Sequence, residues 1–279
     1  MTVTFKKKSK RTTSQPGLPS YKKPPVNEVA IGFTFENLDT LKIPHIGLLW
    51  ERFRNDYPLI EHALPLATNQ VIPIDSATGL PLPRVWFIDK AENRLIQVQS
   101  NQFYFNWRHR KDQDVYPRYE NIVREFKSHL TVLQGFLNDT GLGTLRPSEC
   151  ELTYINQIPK GQGWEIVDDW HNVVTDFCWR KDARRFLPVP ANLTWQAGFA
   201  LPDEKGRMRI RLAEAKKKAD DMPLLVLELS ARGLGKDKSI EAIWDWYRVA
   251  HEWIVRGFTD ITSPEMHHKY WKREDVTTN

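Results

Sequence analysis

The chain has 279 residues, 41% of them hydrophobic and 11% aromatic, a formal net charge of +5 and only two cysteines. That much apolar side chain can fill one large core or two fused half-domains, while two cysteines, Cys150 and Cys178, exclude a disulfide framework and leave a thiolate metal site short of ligands. No apolar run approaches the roughly 18 residues of a membrane span, and no apolar segment follows the basic N-terminus as it would in a secretory signal, so a soluble, cytoplasmic, globular protein is expected.

Residues 1–27 hold seven Lys or Arg and no acid, which leaves the rest of the chain at −2. The high pI therefore belongs to a tail and not to a nucleic-acid-binding body. Residues 1–25 combine these charges with Thr, Ser, Gly and Pro, and are expected to form a disordered basic arm. A first strand over 28–36 follows, with Val29, Ile31, Phe33 and Phe35 on one side. Ile43-Pro44-His45 opens a helix whose stripe is Ile46, Leu49, Trp50 and Phe53. Residues 58–83, rich in Pro, Ala and Leu, read as a long loop with a short edge strand near 70–74.

Three strands over 84–89, 94–100 and 103–107 then lead to a long helix carrying Tyr119, Ile122, Phe126, Leu130, Leu133 and Leu137, opened by Pro117 and closed by Gly141. The same order returns: a strand at 149–156, a helix at 164–177, strands at 193–200, 208–213 and 224–230, and a long helix carrying Ile240, Trp244, Tyr247, His251, Ile254, Phe258 and Ile261, capped by Ser239. Ser263-Pro264-Glu265 signals a last helix through Trp271.

The predicted fold class is α+β: two β-α-βββ-α repeats forming a twisted antiparallel sheet with long helices on one face. The boundaries are 1–25 for the arm, 26–145 for the first repeat and 146–279 for the second with its terminal helix, the two repeats together making one structural domain. The element order resembles the duplicated fold of the TATA-binding protein. Alternation sends Phe103, Phe105, Trp107, Leu193, Trp195, Phe199, Leu225, Leu227 and Leu229 toward the helices. The opposite face carries Gln97, Gln99, Tyr104, Asn106, Arg108, Thr153, Gln196, Arg207, Arg209, Arg211 and Glu228. Such a polar face of mixed sign suits a partner protein, a small polar ligand or a nucleic-acid backbone; it equally suits a solvated sheet with cross-strand Arg–Glu pairs.

Catalytic signatures are missing: there is no phosphate-binding glycine loop, no Gly-x-Ser-x-Gly elbow and no His-Glu-x-x-His, because Val255 stands where the second histidine would be. His251 lies on an apolar stripe and reads as a core histidine. Asp168, Asp169 and His171 are the weak candidates for a metal-dependent hydrolase. Glu265, His267 and His268 read as a solvated group near a terminus. No cofactor and no resident metal is called for. Two short basic patches, 106–111 and 180–185, could hold phosphates beside aromatic rings.

Several stretches are similar to a sporadically distributed bacterial protein family of unknown function. They are Pro24-Pro25-Val26-Asn27-Glu28-Val29, His45-Ile46-Gly47-Leu48-Leu49-Trp50-Glu51-Arg52-Phe53, Leu95-Ile96-Gln97-Val98-Gln99, Phe105-Asn106-Trp107-Arg108, Tyr116-Pro117-Arg118-Tyr119, Cys150-Glu151-Leu152-Thr153-Tyr154-Ile155-Asn156 and His251-Glu252-Trp253-Ile254, with Phe258 and residues 262–267. The resemblance spans nearly the whole body, omits the arm and brings no catalytic residue with it. Its patchy distribution implies an accessory system such as phage defence or a toxin–antitoxin pair. The expectation is a non-catalytic binding protein whose polar sheet face takes a protein partner or a small polar ligand. Nucleic-acid binding through the arm and the sheet arginines is the alternative, and a metal-dependent hydrolase is the second alternative. Neither membrane contact nor a particular oligomeric state is implied.

Overall fold

The computed structural model describes residues 17–67, 72, 74–75, 78–178, 184–190, 192–217 and 220–274. Its centre is one nine-stranded antiparallel sheet built from β2 (Val26–Phe35), β3 (Leu59–Ala63), β4 (Arg84–Ile88), β5 (Arg94–Gln99), β6 (Gln102–Arg108), β7 (Pro147–Pro159), β8 (Thr194–Ala200), β9 (Arg207–Lys216) and β10 (Pro223–Gly233), in the spatial order β3-β4-β5-β6-β2-β7-β10-β9-β8. The strands β2 and β7 lie side by side in the middle. From that seam the chain order reads outward as β6, β5, β4 on one side and as β10, β9, β8 on the other. Each central strand thus pairs with the last member of its own three-stranded meander.

Two elements depart from the expected order. The first is β3, an added edge strand at 59–63; the edge strand expected near 70–74 is displaced to it. Of that expected stretch, Ile74 makes only an isolated bridge to Pro81, and residues 70, 71 and 73 lie outside the described residues. The second is the helix expected at 164–177, of which only a 3-10 turn forms, Val167–Asn172. Gly161 and Gly163 adopt positive φ, and Val174 bridges to Thr262, so the segment is held by the end of the last helix and not by helical continuity. In the first half the corresponding helix is complete: α1 (Ile43–Glu51) buries Ile46 and Leu49, and Phe53 beyond it lies against Phe87 of β4.

The two long helices are α2 (Tyr119–Thr140) and α3 (Ile240–Ile261). Gly141 at φ 64 receives the end of α2, where Leu142 donates its N–H to the Leu137 carbonyl, and Ser239 caps α3 by accepting from the Ala242 N–H. Phe126 is the joint between halves. Fully buried on α2, it touches Phe33 of β2, Phe103 of β6, and Trp244 and Tyr247 of α3. The register places Phe103, Phe105 and Trp107 opposite Phe33, Ile31 and Val29, and Leu225, Leu227 and Leu229 opposite Ile158, Asn156 and Tyr154. Apart from the polar Asn156, these residues belong to one buried hydrophobic core.

The terminal segment after Ser263 is a short turn that widens to a π-helical turn, Met266–Tyr270. It folds back as expected: Trp271 lies against Phe258 and Tyr21. Residues 1–16 of the expected arm lie outside the described residues. Residues 17–25 are a correction to it, because β1 (Ser20–Tyr21) pairs with β11 (Arg273–Glu274) and Tyr21 is buried against His267 and Trp271. An aromatic anchor on a Lys/Pro-rich strap supplies apolar burial that composition averaged over 25 residues conceals.

Candidate binding surface

On the face of the sheet away from α2 and α3, the side chains fall into three groups. Near the β3 edge, Arg84 Nη1 and Trp86 Nε1 both donate to Gln97 Oε1, Gln97 donates to Asn106 Oδ1, and Asn106 donates to Glu28 Oε1 at 2.6 Å. Burial raises the Glu28 carboxyl above its usual range, against the lowering influence of the Asn106 hydrogen bond and of Arg108. The guanidiniums of Arg84 and Arg108 lie 5.3 and 5.9 Å from the Trp86 ring centroid, and neither Nε has a hydrogen-bond partner among the described residues. Gln99, only 1% exposed, is exchanged with the loop that follows β3: it accepts from the Leu66 N–H and donates to the Leu66 carbonyl and to Asn101.

At the seam, Tyr104 lies flat across Gly32. A Cβ on Gly32 would stand 2.4 Å from the ring, which is why only glycine fits there. The Tyr104 hydroxyl donates to Glu151, which also accepts from Thr153 and pairs with Arg232 at 2.8 Å; Thr153 in turn bonds Ser230 at 2.7 Å. Burial and the Glu151 carboxylate push the Tyr104 phenol well above its usual range.

Beyond the seam the arginine row is unevenly matched. Glu228 stands opposite Arg211, yet its carboxylate is taken by Arg209 at 2.8 Å. Arg207 stands opposite Arg232, a like charge already committed to Glu151. Arg207 and Arg211 therefore have no ion pair among the described residues, and the exposed Gln196 lies opposite Arg211 on the outermost strand, β8. The connection entering β8 exposes Phe186, at 96%, with Leu187 and Val189.

The residues nominated from sequence all lie on this face, but they divide. Gln97, Gln99, Tyr104, Asn106 and Arg209 are engaged with their neighbours, Arg108 partly so, while Gln196 and Arg207 are exposed and Arg211 is half-buried. Sequence reading missed Glu28, Arg84, Trp86, Glu151, Ser230 and Arg232. The alternation of buried Val85 and Phe87 with Arg84 and Trp86 carried the signal for two of them.

Asp168, Asp169 and His171 occupy the 3-10 turn. Asp169 accepts from the N–H groups of Glu165 and Ile166, and the His171 ring bonds the Asp168 backbone carbonyl. Among the described residues no three His, Cys, Asp or Glu side chains are grouped to hold a metal ion, and no helix is long and apolar enough to cross a membrane. Cys150 is buried, and burial raises its thiol; Cys178 is exposed. Comparison of the chain with protein-family models, curated proteins and solved structures gives no match.

Proposed function

We propose that the protein is a binding component without catalysis of its own, and that the β8–β9–β10 part of the open sheet face receives the acidic surface of a partner protein. The observation that carries this reading is the pair Arg207 and Arg211, two sheet arginines with no ion pair among the described residues, beside the exposed Gln196. An uncompensated guanidinium fixed on a strand presents a planar fork suited to carboxylates. The exposed Phe186, Leu187 and Val189 supply apolar area of the kind protein interfaces use and phosphate backbones do not. A role in a bacterial accessory system, such as defence or toxin–antitoxin pairing, is compatible with a component of this type.

Nucleic acid is the second reading, favoured by the same arginine row. One experiment separates the two: affinity capture from host lysate with the full chain and with the Arg207→Glu/Arg211→Glu variant, each with and without nuclease. One stoichiometric protein, insensitive to nuclease and lost from the variant, supports the proposal. Equal recovery by both chains would sink the arginine site. Recovered nucleic acid, with affinity falling steeply as salt rises, would put the second reading first.

A further inference from the structure

On the opposite side of the sheet, where the strap at 18–26 passes the start of α2 and the middle of α3, there is a cleft of about 200 Å³. It is separate from the arginine face and owes nothing to the reading above. Its walls are aromatic: Tyr119 and His251 are stacked face to face at 3.6 Å between centroids, and Tyr154 is tilted 30° to His251. Leu229, Ile254 and Phe258 supply the apolar floor.

Three polar groups in the cleft are left with hydrogen-bonding capacity. Asn156 is only 2% exposed; its Nδ2 donates to the Leu227 carbonyl at 3.0 Å, and its Oδ1 has no partner among the described residues. That oxygen is open to a donor placed in the cleft. Tyr116 and Tyr154 share one hydrogen bond of 3.1 Å between their hydroxyls. Either hydroxyl can donate in that bond; with the buried Tyr154 as donor, the less buried Tyr116 keeps its O–H for an incoming acceptor. His251 makes ring contacts but no hydrogen bond among the described residues, and burial lowers its imidazole to about 4, so it is neutral near pH 7, with one N–H and one bare nitrogen.

The rim balances charge. Arg118 and Glu120 contribute one of each sign, and Arg118 is already engaged: its Nη1 donates to the Tyr21 carbonyl at 2.9 Å and its guanidinium lies 5.8 Å from the Tyr116 ring centroid. That arginine is held at φ 72, ψ 156, a conformation that L-residues rarely adopt. A cation would meet Arg118 and an anion Glu120, whereas a flat uncharged ring meets aromatic faces.

We propose that this cleft binds a small, planar, uncharged molecule bearing an amide-like edge, whose carbonyl accepts from Tyr116 and whose N–H donates to Asn156 Oδ1. Calorimetry with nicotinamide and uracil as probes, against nicotinate and benzylamine as charged controls, tests it on the full chain. The expected result is saturable binding of at least one uncharged probe, weakened tenfold or more by Tyr116→Phe and by the cleft-filling Val255→Phe, and unchanged by Arg207→Glu/Arg211→Glu. A readout on the unsubstituted protein stands beside the variants: the bound probe should shift the Asn156 side-chain amide resonances and leave those of Gln196 in place. Absence of binding by both uncharged probes at millimolar concentration overturns the proposal. So does tighter binding of a charged control, or probe binding that leaves the Asn156 resonances unmoved.

Discussion

The two halves of the open sheet face are built from the same residue types and spend them differently. On the β3–β4–β5–β6 side, a run of hydrogen bonds from Arg84 through Gln97 and Asn106 reaches Glu28, and the loop after β3 occupies Gln99. On the β10–β9–β8 side, a single acid, Glu228, lies within reach of two arginines and goes to Arg209, leaving Arg207 and Arg211 without an ion pair among the described residues. The first arrangement ties most of its polar side chains to one another, although Arg84 Nε and Arg108 Nε stay without a partner among the described residues; the second leaves two guanidiniums without an ion pair among those residues. The contrast continues on the helix side, where α1 and Phe53 cover β4 while the 3-10 turn of the second half leaves Phe199 of β8 at 39% exposed.

The largest effect should come from removing what joins the halves. Phe126→Ala empties a site between β2, β6 and α3, and a loss of about 3–5 kcal/mol is expected. Urea unfolding followed by tryptophan fluorescence and by circular dichroism should then show one coincident, lower midpoint; two separated transitions would mean the halves are independent. Acid comes next. Burial, with Arg94 adding to it, lowers His129 to about 4, and burial alone lowers His251 to about 4. Glu125 lies 3.9 Å from the same His129 nitrogen, but its carboxylate is also engaged by Tyr57 and Arg94. The unfolded imidazoles titrate near 6.5, so the unfolded chain takes up protons first. Stability is full above about pH 6.5 and is lost as pH falls toward about 4. Unfolding midpoints across that window should decline, and the decline should be smaller in a His129→Gln variant.

Smaller effects distinguish the two polar faces directly. Asn106→Ala leaves Glu28 and Gln97 without their shared partner and should cost about 1–3 kcal/mol in denaturant unfolding. Because the Glu28 carboxyl is raised, the unprotonated form burdens the fold. The isosteric Glu28→Gln should therefore stabilise at pH 7, with an advantage that shrinks as pH drops below the raised value. The Arg207→Glu/Arg211→Glu pair, by contrast, should move stability by no more than about 0.5 kcal/mol while abolishing partner capture. A large loss of stability there would erase the proposed division of labour.

Periodicity settled the parts of the fold that a local pattern can encode. The strand alternation of Val29, Ile31 and Phe33, the stripe of Ile122, Phe126, Leu130 and Leu133, and the cap at Ser239 each follow from neighbours within a few residues, and each stands as read. The face of every nominated sheet residue was legible for the same reason. Four things were not. The segment at 164–177 has helix-compatible residues but is held by Thr262 and Ser263, distant in sequence, and forms only a 3-10 turn. The strap at 17–25 reads as solvated until Tyr21 meets Trp271 across the chain. Which arginine wins Glu228, and which amide oxygen in the Tyr116–Asn156 cleft goes without a donor, are outcomes of register and packing: they depend on pairings between strands and helices tens of residues apart, and a linear pattern holds no record of them.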